Sequence, residues 1–142
     1  MNKGLIAKAS ICINAPADKV WDALTNPELI KRYMFGTTVI SDWKEGSPIV
    51  WKGAWQGRTY EDRGVILKLK PERLIRYSHF SPLSGKPDLP ENYHTVTIEL
   101  ISDENGTTVS LSQDNNETEE EREHSEQNWK MMLDALKNLL EK

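Results

Sequence analysis

The sequence predicts an α+β domain in which a curved antiparallel sheet wraps a long C-terminal helix. Three observations predict it. A strand-like stretch is followed by two short helical ones, a two-residue periodicity then runs from Thr37 to Asn115, and an apolar stripe at helical spacing ends the chain. Segregating helices to one face of an antiparallel sheet buries the apolar sides of both. The chain has 142 residues, which suits one domain spanning 1–142 that buries roughly two-thirds of its unfolded surface. No Gly/Ser/Pro linker, internal repeat or low-complexity run divides it.

Leu5 to Asn14 is rich in β-branched and small residues and reads as a first strand. Ala15-Pro16-Ala17-Asp18 starts a helix, with proline near the first turn and an acid at the positive end of the dipole. Val20, Trp21 and Leu24 recur at helical spacing through Ala17 to Thr25. Asn26-Pro27-Glu28 repeats the start signal and begins a second short helix, Pro27 to about Tyr33. Thr37 to Asp42, Pro48 to Gln56, Arg58 to Lys70, Arg73 to Phe80, Tyr93 to Asp103 and Thr107 to Asn115 then read as strands. Turn signals separate them at Lys44 to Pro48, Gln56-Gly57, Lys70-Pro71-Glu72 and Asp103 to Gly106. Three prolines and a glycine make Ser81 to Asn92 an irregular loop. Short connections favour an antiparallel meander.

Thr118-Glu119-Glu120-Glu121 is a capping box. Beyond it Trp129, Met132, Leu133, Leu136 and Leu140 form one stripe at i, i+3, i+4, i+7 and i+11. A helix from Thr118 to about Glu141 is on the order of 36 Å long, enough to lie across a sheet.

These residues resemble a known family. Val20-Trp21-Asp22-Ala23-Leu24-Thr25-Asn26-Pro27-Glu28 is similar to the front signature of the activator of heat-shock-protein-90 (Hsp90) ATPase homologue family, a branch of the START/polyketide-cyclase-like (SRPBCC) superfamily. Gly64 to Leu74 is similar to its strand, proline turn and strand, and Trp129 with Leu133, Leu136 and Leu140 resembles its closing helix. The resemblance implies the helix-grip (START/Bet v 1-like) fold and a cavity between sheet and long helix. It also implies the superfamily's repertoire of lipids, sterols, polyketides and other hydrophobic ligands, with catalysis in some members. Three departures stand out. The chain has no room for the additional N-terminal domain of the eukaryotic co-chaperones, Asn128 stands where many relatives have glycine, and Tyr33 stands where tryptophan is common.

Composition narrows the partners. Charged residues make up 28% of the chain, both signs are interspersed, and the net charge is -4. That balance argues against nucleic acid and anionic membranes, which favour a basic stripe. Lys68, Lys70, Arg73 and Arg76 bracket a turn and read as a solvated loop. No segment has the apolar core of a signal peptide or the roughly 20 apolar residues of a spanning helix. Cys12 is the single cysteine, so no intrachain disulfide forms and a reducing cytoplasm is the expected setting.

Five tryptophans are present, and Trp43, Trp51 and Trp55 fall within thirteen positions. On a strand from Pro48 to Gln56 the alternation puts Trp51 and Trp55 opposite the face of Lys52, hence inward. Tyr77 and His79 point inward by the same argument. Such rings either fill a core or offer a ligand an apolar wall with a polar handle. Trp51, Trp55, Tyr60, Tyr77, His79, Arg122 and Trp129 are therefore the candidate ligand contacts. Arg122 lies along the stripe direction, where it either meets an anionic head group or pairs with Glu119 and Glu126. His79, His94 and His124 form no HxH or HExxH pattern, so no metal or cofactor is expected. No G-x-S-x-G element or phosphate-cradling glycine loop points to catalysis.

The leading expectation is a cytoplasmic protein that binds a small hydrophobic ligand. The alternatives are a co-chaperone-like interaction domain with a chaperone as partner, and a polyketide-cyclase-like enzyme. The enzyme would need a polar dyad deep in the cavity, for which Tyr60, Tyr77, His79 and His94 are the candidates.

Overall fold

The computed structural model describes residues 5–55, 57–82 and 85–141, with the side chain of Trp55 outside the described set. The elements follow the expected order. Strand β1 (Leu5–Ile13) leads into helices α1 (Ala17–Thr25) and α2 (Pro27–Tyr33). Strands β2 (Thr38–Ser41), β3 (Pro48–Trp55), β4 (Arg58–Lys70), β5 (Leu74–His79), β6 (His94–Asp103) and β7 (Gly106–Asn116) follow, and helix α3 (Glu119–Leu140) closes the chain. Within the loop before β6, Pro90–Asn92 forms one 3-10 turn. Gln56 of the expected Gln56-Gly57 turn, and Leu83 and Ser84 of the expected loop, lie outside the described residues.

The start signals act as their chemistry dictates. The Asn26 side chain accepts from the Glu28 amide at 3.0 Å with Pro27 at the first helical position. Thr118 Oγ1 accepts from the Glu121 amide at 3.0 Å. Glu121 in turn reaches the amide of Glu117 at 2.9 Å, one residue before the box it was expected to close. The α1–α2 corner is tied by the Tyr33 hydroxyl, which donates to the Ala23 carbonyl at 2.9 Å.

The described strands form one seven-stranded sheet in the order β1-β7-β6-β5-β4-β3-β2, every pair antiparallel. Its concave face carries Ile13, Val39, Ile49, Trp51, Ile66, Ile75, Tyr77, Val96, Ile98, Leu100, Val109 and Leu111, all buried in one cluster. Met132, Leu133 and Leu136 of α3 and Val20, Ala23 and Leu24 of α1 complete that core, with Trp129 and Leu140 at its margin. Burying each full-length aliphatic side chain stabilises the domain by roughly 1.5–3 kcal/mol. This is the helix grip: strands curled around α3, with α1 and α2 closing one end.

The free edge of β1 is covered by side chains of α3. Glu126 accepts from the Lys8 amide at 3.0 Å, Lys137 donates to the Cys12 carbonyl at 2.7 Å, and Glu141 accepts from the Asn14 amide at 2.8 Å. An open edge is a template for unwanted pairing, and these contacts block it. Cys12 itself is exposed on that strand, its sulfur 3.2 Å from Thr108 Oγ1. No helix among the described residues is long and apolar enough to cross a membrane.

Candidate functional site

The alternation of β3 and β5 delivers Trp51 and Tyr77 to the concave face, where both are buried. Their ring centroids are 5.1 Å apart, and the His79 ring stands edge-on to Trp51 at 4.9 Å. Trp129 reaches the same region from α3 and donates its indole N–H to the side-chain oxygen of buried Gln113. Between them lies a small void beneath the helix, lined by Trp43, Trp51, Trp129, Tyr33, Tyr77, Met34, Met132 and further aliphatic side chains. Its volume is about 30 Å³, room for a water or two. Where the family resemblance implies a cavity, the structure has only this small void, bordered by Met34, Met132 and the rings of Trp43, Trp51 and Trp129.

Tyr77 lines this void and its hydroxyl has no hydrogen-bond partner among the described residues. Burial holds its pKa well above the ordinary tyrosine value. Tyr33 is raised as well, first by burial and then by the neighbouring Tyr77.

A polar row continues the concave face beyond the void. Asp62 faces Trp51 directly across the β3–β4 pair, and His79 faces His94 across β5–β6. His79 Nε2 lies 2.9 Å from Asp62 Oδ2, so the ring N–H donates to the carboxylate. The other carboxylate oxygen, Oδ1, is sealed from solvent and has no partner among the described residues. His94 Nδ1 donates to the Asp114 carbonyl at 2.8 Å, and the two imidazole centroids are 6.5 Å apart. Gly64 makes the pair possible. A Cβ there would overlap the Ser78 carbonyl, so only glycine lets β4 run this close to β5 between Asp62 and His79.

The other candidates lie elsewhere. Tyr60 covers Gly53, and its hydroxyl is 2.5 Å from Thr37 Oγ1. Arg122 pairs with Glu119 and Glu126, both at 2.8 Å, and does not line the void. Those hydrogen bonds, Glu119 first, hold its pKa above the usual arginine value. Trp55 ends β3 opposite Arg58, and its side chain lies outside the described residues. Structure thus brings Trp51, Tyr77, His79 and Trp129 together and leaves Tyr60 and Arg122 in other pairings. It adds Asp62, which the sequence did not flag, as the partner of His79, one of the four residues considered for the polar dyad of an enzyme. Among the described residues, no three His, Cys, Asp or Glu side chains are placed to hold a metal ion.

A larger concavity of about 760 Å³ lies on the other face of β3 and β4, lined by Val50, Arg63, Val65, Asp88 and Tyr93 among others. The Arg63–Asp88 ion pair, at 3.2 Å, and the Tyr93–Asp88 hydrogen bond, at 2.6 Å, cross it. That hydrogen bond, with some burial, raises the Tyr93 pKa. This groove is open along its length and would bury little of a small molecule.

A helix gripped by an antiparallel sheet, with a tryptophan of that helix at a buried void, is the arrangement expected of the resembled family. Residues 14–141 match the family model described as Activator of Hsp90 ATPase homolog 1-like protein. The chain belongs to this family. No curated protein matches it. Among solved structures, it is similar to ChR145 from Cytophaga hutchinsonii, with 62% identity over 99% of this chain and 97% of that one and a TM-score of 0.87. It is also similar to CalU16 from Micromonospora echinospora, at 27% identity over 96% of this chain and 74% of that one, TM-score 0.70. The Aha1 dimer from Colwellia psychrerythraea shares the fold at 24% identity over 96% of each chain, TM-score 0.75.

Proposed function

We propose that this family member binds a small, largely apolar molecule beneath α3, in a pocket that opens from the void between Trp51, Tyr77, Trp129 and Met132. The observation that carries the reading is Tyr77: a buried phenol on the wall of an apolar void, with its hydroxyl left without a protein partner. A hydroxyl on a side chain that lines a void, and that meets no acceptor among the described residues, is placed for a water in the closed state and for a guest's polar atom in the open one. The walls suit opening. Met34 and Met132 are unbranched side chains that repack at little cost. The chain leaves α2 through Phe35 and Gly36, at φ of 57° and 88°, a left-handed corner next to Met34 of the void's lining.

Native mass spectrometry of freshly purified protein is expected to find a retained small molecule, and Met132→Trp, which fills the void, is expected to abolish retention. Absence of any retained mass, together with unchanged indole N–H resonances on exposure to a cell extract, would sink the reading.

A second reading, a protein-interaction domain, is favoured by the outer face of the sheet. Ile40, Val65 and Leu67 are 52%, 39% and 46% exposed there, and exposed apolar patches commonly mark contact sites. The matching family model is named for an Hsp90 activator, and the Aha1 relative was solved as a dimer. This reading requires stimulation of an Hsp90 ATPase by the chain with the void empty, and an Ile40→Lys substitution to remove that stimulation.

A further inference from the structure

We infer that the Asp62–His79 pair selects the head group of the bound molecule, and that this head group is a hydroxyl donated to Asp62 Oδ1. The inference rests on the pocket proposed above and specifies what it accepts. Asp62 has one oxygen engaged by His79 at 2.9 Å, and a second that is cut off from water and meets no donor. A carboxylate oxygen in that position is an unmet demand in the closed protein, since a desolvated acceptor without a partner is costly while a satisfied one is not. The demand sits one step from the void. Asp62 pairs with Trp51 across the strands, and the Trp51 ring touches both His79 and Tyr77. Neither Asp62 nor His79 lines the closed void, so the assignment requires that opening past Trp51 also uncover Oδ1.

The chemistry of the surroundings decides the class of donor. The wall beside the pair is Trp51, Tyr77 and Ile49, all buried, so the body of the ligand is apolar or aromatic. An ammonium head would bring a second charge out of water next to the imidazoles of His79 and His94, a desolvation that one ion pair seldom repays. A hydroxyl supplies the one donor that Oδ1 lacks at far smaller cost. With Nε2 engaged by Asp62, the other ring nitrogen of His79, Nδ1, has no partner among the described residues. The free carboxylate oxygen of the pair can only accept, which matches the O–H of an alcohol or phenol and disfavours a carboxylate head group.

Three probes of the same aromatic body test this in the intact chain: naphthalene, 2-naphthol and 2-naphthylmethylamine, titrated while the tryptophan indole N–H resonances are followed. 2-Naphthol is expected to bind at least about tenfold more tightly than naphthalene, since a site built for a hydroxyl rejects the analogue lacking it. Partitioning cannot mimic that order, because the hydroxyl makes the molecule less hydrophobic. In Asp62→Asn the amide oxygen can serve His79 while its NH2 faces the ligand, so the preference is expected to fall within about twofold with naphthalene affinity kept. Circular dichroism checks that this variant folds; where it does not, the wild-type ranking alone decides. Equal binding of naphthalene and 2-naphthol, tightest binding of the amine, or a preference that survives in folded Asp62→Asn overturns the hydroxyl assignment and leaves the pocket intact. Failure of all three probes to shift any indole resonance removes the pocket, and the assignment with it.

Discussion

At Gly64 the fold leaves no room for a side chain. Its neighbour across β4–β5 is backbone, the Ser78 carbonyl, and backbone cannot swing aside as a flexible side chain would. Gly64→Ala is therefore expected to destabilise the domain by roughly 1–3 kcal/mol, the usual cost of forcing extra volume into a packed site. Urea unfolding with an unchanged slope would show it as a lowered midpoint; a midpoint equal to wild type would mean the strands are not held that close. Residues on this face were unequally legible. Trp51, Tyr77 and His79 could be placed inward because a lysine or arginine on the alternate positions identified the wet side. Asp62 could not, because β4 carries charge on both faces: Glu61 and Arg63 point outward while Asp62 points inward. A carboxylate on the dry side becomes visible only once the register sets it opposite Trp51. Arg122 was legible only as a choice, and the nearer partners at i-3 and i+4 are the ones it meets.

For α3 the capping box and the apolar stripe fixed start, length and buried face, since both are local patterns within one helix. Its cover over the edge of β1 was not legible, because the partners are 118 to 127 positions apart. The cover has a pH signature. Glu126 titrates below its ordinary range chiefly because it accepts the Lys8 amide, and Glu141 chiefly because it accepts the Asn14 amide. A carboxyl whose folded pKa is depressed contributes above its unfolded value of 4.5 and loses that contribution as pH falls through the folded one. Both groups are solvent-accessible, so salt and water screen the effect and global stability is expected to change little. Local protection should report it. Hydrogen exchange is expected to show protection at the Lys8 and Asn14 amides declining as pH falls below the unfolded value of 4.5, with Glu126→Gln weakening Lys8 alone at neutral pH. Protection independent of both acid and substitution would mean that other groups cover the edge.

On the scale of the whole molecule, the run from β2 to β7 was legible because consecutive segments with short connections pair as neighbours, whereas the pairing of β1 with β7 was not. The size of the void was not, since it depends on how Met34, Met132 and the surrounding rings interdigitate, and no periodicity encodes that. The same close packing shuts two phenols, Tyr33 and Tyr77, inside the core, and so couples global stability to alkaline pH. Both are raised above the 10.0 of a free tyrosine, mainly by burial. An acid whose folded pKa is raised keeps its proton while the unfolded chain loses it. The stabilisation is thus complete below about pH 10 and declines as pH rises toward the folded value, by up to ~1.4 kcal/mol per pH unit for each tyrosine. The two phenols can be told apart. Tyr33 donates to the Ala23 carbonyl, so Tyr33→Phe should cost about 1 kcal/mol at neutral pH while lessening the alkaline slope. The Tyr77 hydroxyl has no hydrogen-bond partner among the described residues, so Tyr77→Phe should be nearly neutral at pH 7 and lessen the slope by a similar amount. Urea midpoints between pH 7 and 11 separate these outcomes, and a neutral-pH penalty for Tyr77→Phe matching that of Tyr33→Phe would show that its hydroxyl is already satisfied in the closed protein. That result would take away the feature on which ligand binding beneath α3 is argued.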